Sequence, residues 1–274
     1  MTSPAPLNGI QITQPDPVPV RAILLDVEGT TTPIAFVHEV LFPFARTHIG
    51  DYLRAHAGTT DTHQLIADLE QEHANDMAQQ HDPPTLIDGP KRIESIIAYV
   101  QWLIDRDRKS TVLKSLQGKI WRSGYVDGSL KAPIFGDVAP ALARWRSAGL
   151  EVGIFSSGSI LAQQLLFAHT EVGDLTHLID YYFDTTTGSK TASNSYKEIA
   201  VALSRSTQEI LFISDVMAEL GAASTAGMQT LLCVRPGNHF RSTGPNPQIR
   251  SFDEVPLPAG AAEGLQEPVG RDSS

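Results

Sequence analysis

Apolar residues fall along this chain in two rhythms. Short solid blocks recur at Ala22-Ile23-Leu24-Leu25, Glu151-Val152-Gly153-Ile154-Phe155, Tyr181-Tyr182-Phe183-Asp184, Glu209 to Ser214 and Gln229 to Val234. Blocks this short, bounded by turn residues, predict strands buried on both faces, as in a parallel sheet. Between them the apolar positions spread to helical spacing. Val138 to Ala148 predicts a helix with Asp137 as N-cap and Gly149 as terminator; others run from the Ser159 turn to about His169 and from Ser195 to Ser204. Strands alternating with helices through short connections predict an α/β fold: a Rossmann-like open parallel sheet with helices on both faces, whose ligands bind at the C-terminal edge of the strands.

One stretch breaks this alternation. Phe36, Val37, Val40 and Leu41 recur at helical spacing until Pro43 interrupts, and Thr62 to Gln80 and Arg92 to Arg106 read as amphipathic helices separated by Asp82-Pro83-Pro84. Val112 to Trp121 adds another helix before a loop-rich return over Gly124 to Gly136. The expected organisation is a core of residues 21–35 and 124–240 with a helical cap inserted at 36–123. An insertion directly after the first strand's loop can act as a lid that excludes water and sets substrate choice; a packing subdomain is the alternative. Within it, His38 reads as an ordinary helix residue. Residues 1–20, with prolines at 4, 6, 15, 17 and 19, read as an extended leader, and residues 241–274 as a loose C-terminal tail.

Composition narrows the classes of partner. With 21 Lys and Arg against 31 Asp and Glu, the net charge of −10 argues against nucleic acid, which requires clustered cations. No apolar stretch approaches the roughly 18 residues of a membrane span. The first twenty residues hold no Lys or Arg and fit neither a secretory signal nor a transit peptide, and the single Cys233 suits a reducing compartment, so a cytoplasmic location is expected. No exposed heptad or basic stripe suggests a protein partner, and a monomer is expected.

The strand ends carry the candidate chemistry. The first block runs into Asp26-Val27-Glu28-Gly29-Thr30-Thr31-Thr32, which places two carboxylates where the chain leaves the core, with a glycine to turn on and a hydroxyl for an anion. Paired carboxylates repel, and hard Mg²⁺ with its preference for oxygen offsets them well, although Asp before Gly-Thr is also ordinary turn chemistry. The second block ends in Ser156-Ser157-Gly158-Ser159, a phosphate cradle or simply a helix cap. Lys190 follows the third block, able to bring one positive charge to the carboxylates or to be merely solvated. The fourth ends in Ser214-Asp215, with Glu219 four residues on; in a parallel sheet Asp215 arrives at the same edge as Asp26.

In order and spacing these loops resemble the haloacid dehalogenase-like hydrolase superfamily. The stretches DVEGTTTPIAFVHEVLFPFA, WRSGYVDGSLKAPIFGDVAPALARW, FSSGSILAQQLLFAHTEVGDL, YFDTTTGSKTASNSYKEIA and ILFISDVMAELGAASTAGM are further similar to the acireductone synthases, or enolase-phosphatases, of methionine salvage, from about Ala22 to Asn238. The resemblance implies that Asp26 is a nucleophile forming an aspartyl-phosphate and also a ligand of Mg²⁺. It implies for Glu28 a metal contact, through its carboxylate or backbone carbonyl, and an acid/base role. Ser156, Ser157 and Lys190 are then substrate-binding residues, Asp215 the remaining metal ligand, and Glu219 a support for Asp215 or Lys190. The implied substrate is a small phosphorylated diketone with a methylthio tail, for which Phe36, Phe42, Trp121 and Tyr125 are candidate apolar neighbours or else core. Another small-metabolite phosphatase of the superfamily, a metal-free dehalogenase and a non-catalytic binding protein on the same scaffold are the competing readings.

Overall fold

In this computed structural model the chain is described at residues 18–106, 108, 110–238 and 246–256. The first strand, β1 (Ala22–Leu25), is buried along its whole length and stands in the middle of the sheet. After it come a π-helical stretch at Phe36–Leu41 and four helices: α1 (Phe42–Ala55), α2 (Thr60–Ala78), α3 (Arg92–Asp105) and α4 (Thr111–Asp127). The βα alternation then resumes with α5 (Val138–Ser147), β2 (Glu151–Phe155), α6 (Ile160–Ala168), β3 (Tyr181–Phe183), α7 (Ser193–Ala202), β4 (Ile210–Ser214), α8 (Met217–Ala226), β5 (Gln229–Cys233) and β6 (Gln248–Ile249).

All six strands are parallel, in the order β3-β2-β1-β4-β5-β6. The chain winds outward from β1 through β2 to β3, then returns to the other side of β1 for β4 and winds out again. The reversal makes the C-terminal end of β1 the switch point where such sheets bind ligands. Register fixes what meets there: Leu25 lies opposite Ile154 of β2 and Ile213 of β4, so Asp26, Ser156 and Asp215 all emerge at one edge.

Alternation along β1 sorts the core. Ala22 and Leu24 join Phe155, Phe212 and Leu232 against α7 and α8, where Tyr196, Ile199, Leu220 and Ala223 are buried. Ile23 and Leu25 face the other way with Val152, Ile154 and Ile213, and meet α5, α6 and the inserted helices in one continuous apolar cluster. The expected open sheet with helices on both faces is therefore present.

Several local expectations change. Pro43 does not end a helix: the π-helical turn at Phe36–Leu41 runs straight into α1, and this wider turn stands just before the residue that has no N–H to give. Helix α4 runs through Gly124 to Asp127 and stops at Gly128 in the left-handed region, six residues beyond the expected helix end. Asp137 stands at the N-cap of α5 without capping it; its carboxylate accepts from Arg235 Nη1 at 2.8 and 3.0 Å instead. Helix α8 was not expected, because MAELGAASTA is small and apolar all round and has no face to read.

The tail at 241–274 is not loose over 246–256. β6 pairs with β5, Phe252 is fully buried with its ring 5.3 Å from that of Trp145, and Val255 is buried. The leader at 1–20 lies outside the described residues except for 18–20, as do 239–245 and 257–274. No described helix is long and apolar enough to cross a membrane.

Candidate active site

Beyond β1 the chain folds into a tight loop around one carbonyl. Val27 O accepts from the amides of Thr30, Thr31 and Thr32 at 3.2, 2.9 and 3.0 Å, and Gly29 N donates to Thr32 O at 2.8 Å. Gly29 has φ +77°, and a Cβ on it would stand 2.8 Å from Asp215 Cγ, so the position requires glycine for both conformation and space. Asp26, at the head of the loop, is 2% exposed. The Lys190 ammonium is hydrogen-bonded to Asp26 Oδ1, and Thr30 Oγ1 donates to Asp26 Oδ2 at 3.2 Å. Thr30 Oγ1 also accepts from Asp215 N at 3.1 Å, joining the loop to the end of β4. The hydroxyl read as an anion donor thus serves to hold the two acids in register.

Lys190 is buried and charged. Its Nζ lies 2.8 Å from Glu219 Oε2 as well as against Asp26, its backbone oxygen accepts from Tyr196 OH at 2.7 Å, and Ser214 Oγ donates to Glu219 Oε2 at 3.0 Å. The merely solvated lysine is therefore excluded. Glu28 turns toward β2, with Ser156 Oγ 3.4 and 3.3 Å from its two carboxylate oxygens. Ser157 is exposed, and its backbone oxygen accepts from Lys114 Nζ of α4 at 3.3 Å. The start of α6 is less open to an anion than the motif suggested: Gly158 N donates to Ser156 Oγ, Ile160 N to Asp184 Oδ2, and Ala162 N to Ser159 Oγ, at 3.1 to 3.3 Å.

Four carboxylates around one lysine leave an excess of negative charge, and the proton affinities record it. Burial, then Asp26 and Glu219, push Asp215 up to about 7. Burial and Asp26 also push Glu219 up to about 7 against the pull of Lys190, and burial followed by Asp26 raises Glu28. Burial acts to lower Lys190, but Asp26 and Glu219 outweigh it and raise it, so the ammonium holds its proton.

A divalent cation fits this surplus. Asp215 Oδ1 is buried without a hydrogen-bond partner among the described residues, an acceptor in need of a cation or donor. Among the described residues no three His, Cys, Asp or Glu side chains form a ready-made cage. With the Glu28 carboxylate beside Ser156, the groups left to face a cation are Asp26, Asp215 and backbone oxygen rather than three side-chain carboxylates.

Phe36, Trp121 and Tyr125 are buried within the apolar cluster that includes the inserted helices, and Phe42 is half-buried against it. The Trp121 indole donates to Leu41 O at 2.8 Å, and Tyr125 stacks on His169 at 5.2 Å. Two surface grooves of about 340 and 440 Å³, lined by residues such as Tyr52, Lys119 and Arg122 or Leu161, Leu165 and Tyr182, include none of the clustered acids. The site is thus marked by its charge rather than by these grooves.

Two contributors escaped the sequence reading. Arg235 Nε donates to Thr30 O at 3.0 Å, and Asn238 Nδ2 donates to Gly29 O at 2.8 Å. Their signal was present: Arg235-Pro236-Gly237-Asn238 leaves an apolar strand at the same sheet edge as the other three polar motifs.

A buried aspartate held between a lysine and a threonine at the switch point of a parallel sheet, with a second acid beside it, is an arrangement suited to a hydrolase. The haloacid dehalogenase-like hydrolase family model matches residues 20–227. Among curated proteins, Enolase-phosphatase E1 of Synechococcus elongatus is 49% identical over 88% of this chain and 100% of its own length, and that of Drosophila melanogaster is 42% identical over 80% and 84%. The crystal structure of UTR4 protein from Saccharomyces cerevisiae covers 86% of this chain and 99% of its own, with TM-score 0.72 and 33% identity. The chain belongs to the haloacid dehalogenase-like hydrolases and, within them, to the Enolase-phosphatase E1 family.

Proposed function

We propose that this chain is a Mg²⁺-dependent acireductone synthase of methionine salvage, converting 2,3-diketo-5-methylthiopentyl-1-phosphate to 1,2-dihydroxy-3-keto-5-methylthiopentene and phosphate. The observation that carries the reading is Asp26, buried at the head of the β1 loop with Lys190 on one carboxylate oxygen and Thr30 on the other. In the phosphatase half, an Asp26 oxygen forms the bond to phosphorus while the bond from phosphorus to the substrate's C1 oxygen breaks. Water then cleaves the aspartyl-phosphate, releasing phosphate and freeing the carboxylate. Lys190 and Ser156 hold the phosphoryl oxygens, and Ser157 lies at the open side of the same turn. Glu28, its proton affinity raised, gives a proton to the departing oxygen and takes one from the attacking water.

Enolisation needs a base for the proton next to a carbonyl. Lys190 is unsuited because it is held charged, whereas Glu28 lies beside Ser156 at the same edge and is the candidate. Asp26, Asp215 and the Glu28 backbone carbonyl would hold Mg²⁺, which when bound would neutralise charge on the phosphoryl group and polarise the substrate carbonyl. The inserted helices act as the lid, with Lys114 of α4 reaching Ser157 O at 3.3 Å and Thr185 Oγ1 at 3.5 Å across the mouth of the site.

The test follows enol by ultraviolet absorbance and inorganic phosphate separately, with the diketone phosphate and Mg²⁺. Enol formation followed by phosphate release, both lost on chelation and phosphate release lost in Asp26→Asn, is the expected result. Turnover of other phosphomonoesters with neither signal from the diketone assigns the chain instead to another small-metabolite phosphatase of the family. Robust phosphate release by Asp26→Asn overturns the nucleophile.

A further inference from the structure

Two buried oxygens beside the catalytic loop lack any donor among the described residues: Asp215 Oδ1 and Asn238 Oδ1. Both side chains approach one point. A Cβ on Gly29 would meet Asp215 through its Oδ2, with Cγ at 2.8 Å, and Asn238 Oδ1 at 3.2 Å, so the Asp215 carboxylate group and the amide oxygen lie over the same glycine. Which end of the amide faces this point is settled by chemistry. Its other end lies 2.8 Å from Gly29 O, which only accepts, so the nitrogen is there and the oxygen is the atom left over. A buried acceptor left unmet costs stability, and two acceptors cannot satisfy each other.

The turn that carries Asn238 is built to hold it still. Asn238 N donates to Arg235 O at 3.2 Å, and the Arg235 guanidinium lies between the rings of Phe135 and Phe252, 4.5 and 4.6 Å from their centres. Arg235 donates to Asp137 and, through Nε, to Thr30 O. The turn therefore grips the catalytic loop at two successive carbonyls, Gly29 O and Thr30 O, and the unmatched amide oxygen is held rigidly above the loop.

We propose that Asn238 is a positioning residue for the metal, its Oδ1 accepting a hydrogen bond from a water carried by the Mg²⁺ that Asp215 binds. The inference rests on the metal reading given above. Mg²⁺ bound by one or two carboxylates retains several waters, and acceptors fixed behind those waters tune its affinity and orientation. A neutral amide does this without adding a further negative charge to a cluster that already holds four carboxylates.

The experiment is calorimetric titration of Mg²⁺ into the metal-free full chain, for the parent, Asn238→Ala and Asn238→Asp, with thermal unfolding of each in metal-free buffer. Asn238→Ala is expected to weaken Mg²⁺ binding about 10–100-fold. Its metal-free unfolding midpoint should stay within about 4 °C of the parent, the shift for one lost hydrogen bond. Asn238→Asp also loses the bond to Gly29 O but keeps an acceptor, and is expected to bind Mg²⁺ at least as tightly as the parent. Affinity in Asn238→Ala within about twofold of the parent overturns the inference. So does equal weakening in Asn238→Asp, which would trace the effect to the grip on Gly29. A parent that takes up no Mg²⁺ overturns the metal reading and this inference with it, whereas a parent that binds beside an unchanged alanine variant overturns this inference alone.

Discussion

Replacing Lys190 with methionine tests whether the ammonium is the counter-charge of the acidic cluster. Lys190 is 8% exposed and sits between Asp26, 2% exposed, and Glu219, 8% exposed, so its loss strands two buried carboxylates. Removing one partner of a buried pair costs about 3–5 kcal/mol. At roughly 2–4 °C per kcal/mol, the unfolding midpoint should fall by about 6–20 °C at pH 8 in metal-free buffer. The sign of the pH dependence follows from Glu219. Its folded pKa of about 7 lies above the ordinary carboxyl value, so its contribution is fully present at low pH and is lost as pH rises through 7. Without Lys190 the charge that holds Glu219 down is gone, its pKa climbs further, and by pH 6 it is protonated. The gap between parent and Lys190→Met should therefore narrow from pH 8 to pH 6. Denaturant unfolding at both pH values reads it directly; a loss below about 1 kcal/mol at pH 8, or a gap that does not narrow, refutes the argument.

Gly29→Ala forces a side chain into a left-handed position against Asp215. It should lower stability by about 1–3 kcal/mol and weaken Mg²⁺ binding, with denaturant midpoints and metal titration as the measures. In the inserted helices, burial acts to raise Asp76, but hydrogen bonds from His81 and Tyr99 and the charge of Arg108 outweigh it and hold the carboxyl below its ordinary range. Its stabilisation is present above that ordinary range and is lost as pH falls through the depressed value; Asp76→Asn should cost about 3 kcal/mol at pH 7, a deficit that closes in acid unfolding scans below about pH 4. Lys114→Ala removes the contact from α4 to Ser157 and Thr185 while leaving the acids in place. Steady-state kinetics should show a raised KM with the unfolding midpoint within about 2 °C of the parent, and an unchanged KM removes Lys114 from the lid.

The sequence by itself determined which segments are strands, because a strand buried on both faces must be a short run of solid apolar residues, and Ala22 to Leu25 or Ile210 to Ser214 can be little else. It also placed acids, serines and a lysine at the ends of those runs, and polar residues collected where parallel strands stop point to one edge of one sheet. Such information is local, carried by neighbours in the chain. What each polar group meets is not local. Lys190 reaches Asp26 across 164 residues; the resemblance left open whether Glu219 supports Asp215 or Lys190, and nothing in the spacing said that the Thr30 hydroxyl would bridge Asp26 and the amide of Asp215. The Glu28 carboxylate could have faced a cation, and only the placement of β2 beside β1 turned it to Ser156. β6 and Phe252 were hidden for a related reason. A two-residue strand has no periodicity, and it exists because β5 offers an open edge while Trp145 and Arg235 offer a place for the ring. Pattern along the chain specifies an element and the face it buries; the partners of a buried charge are chosen by packing, since only the folded chain decides which groups lose water together.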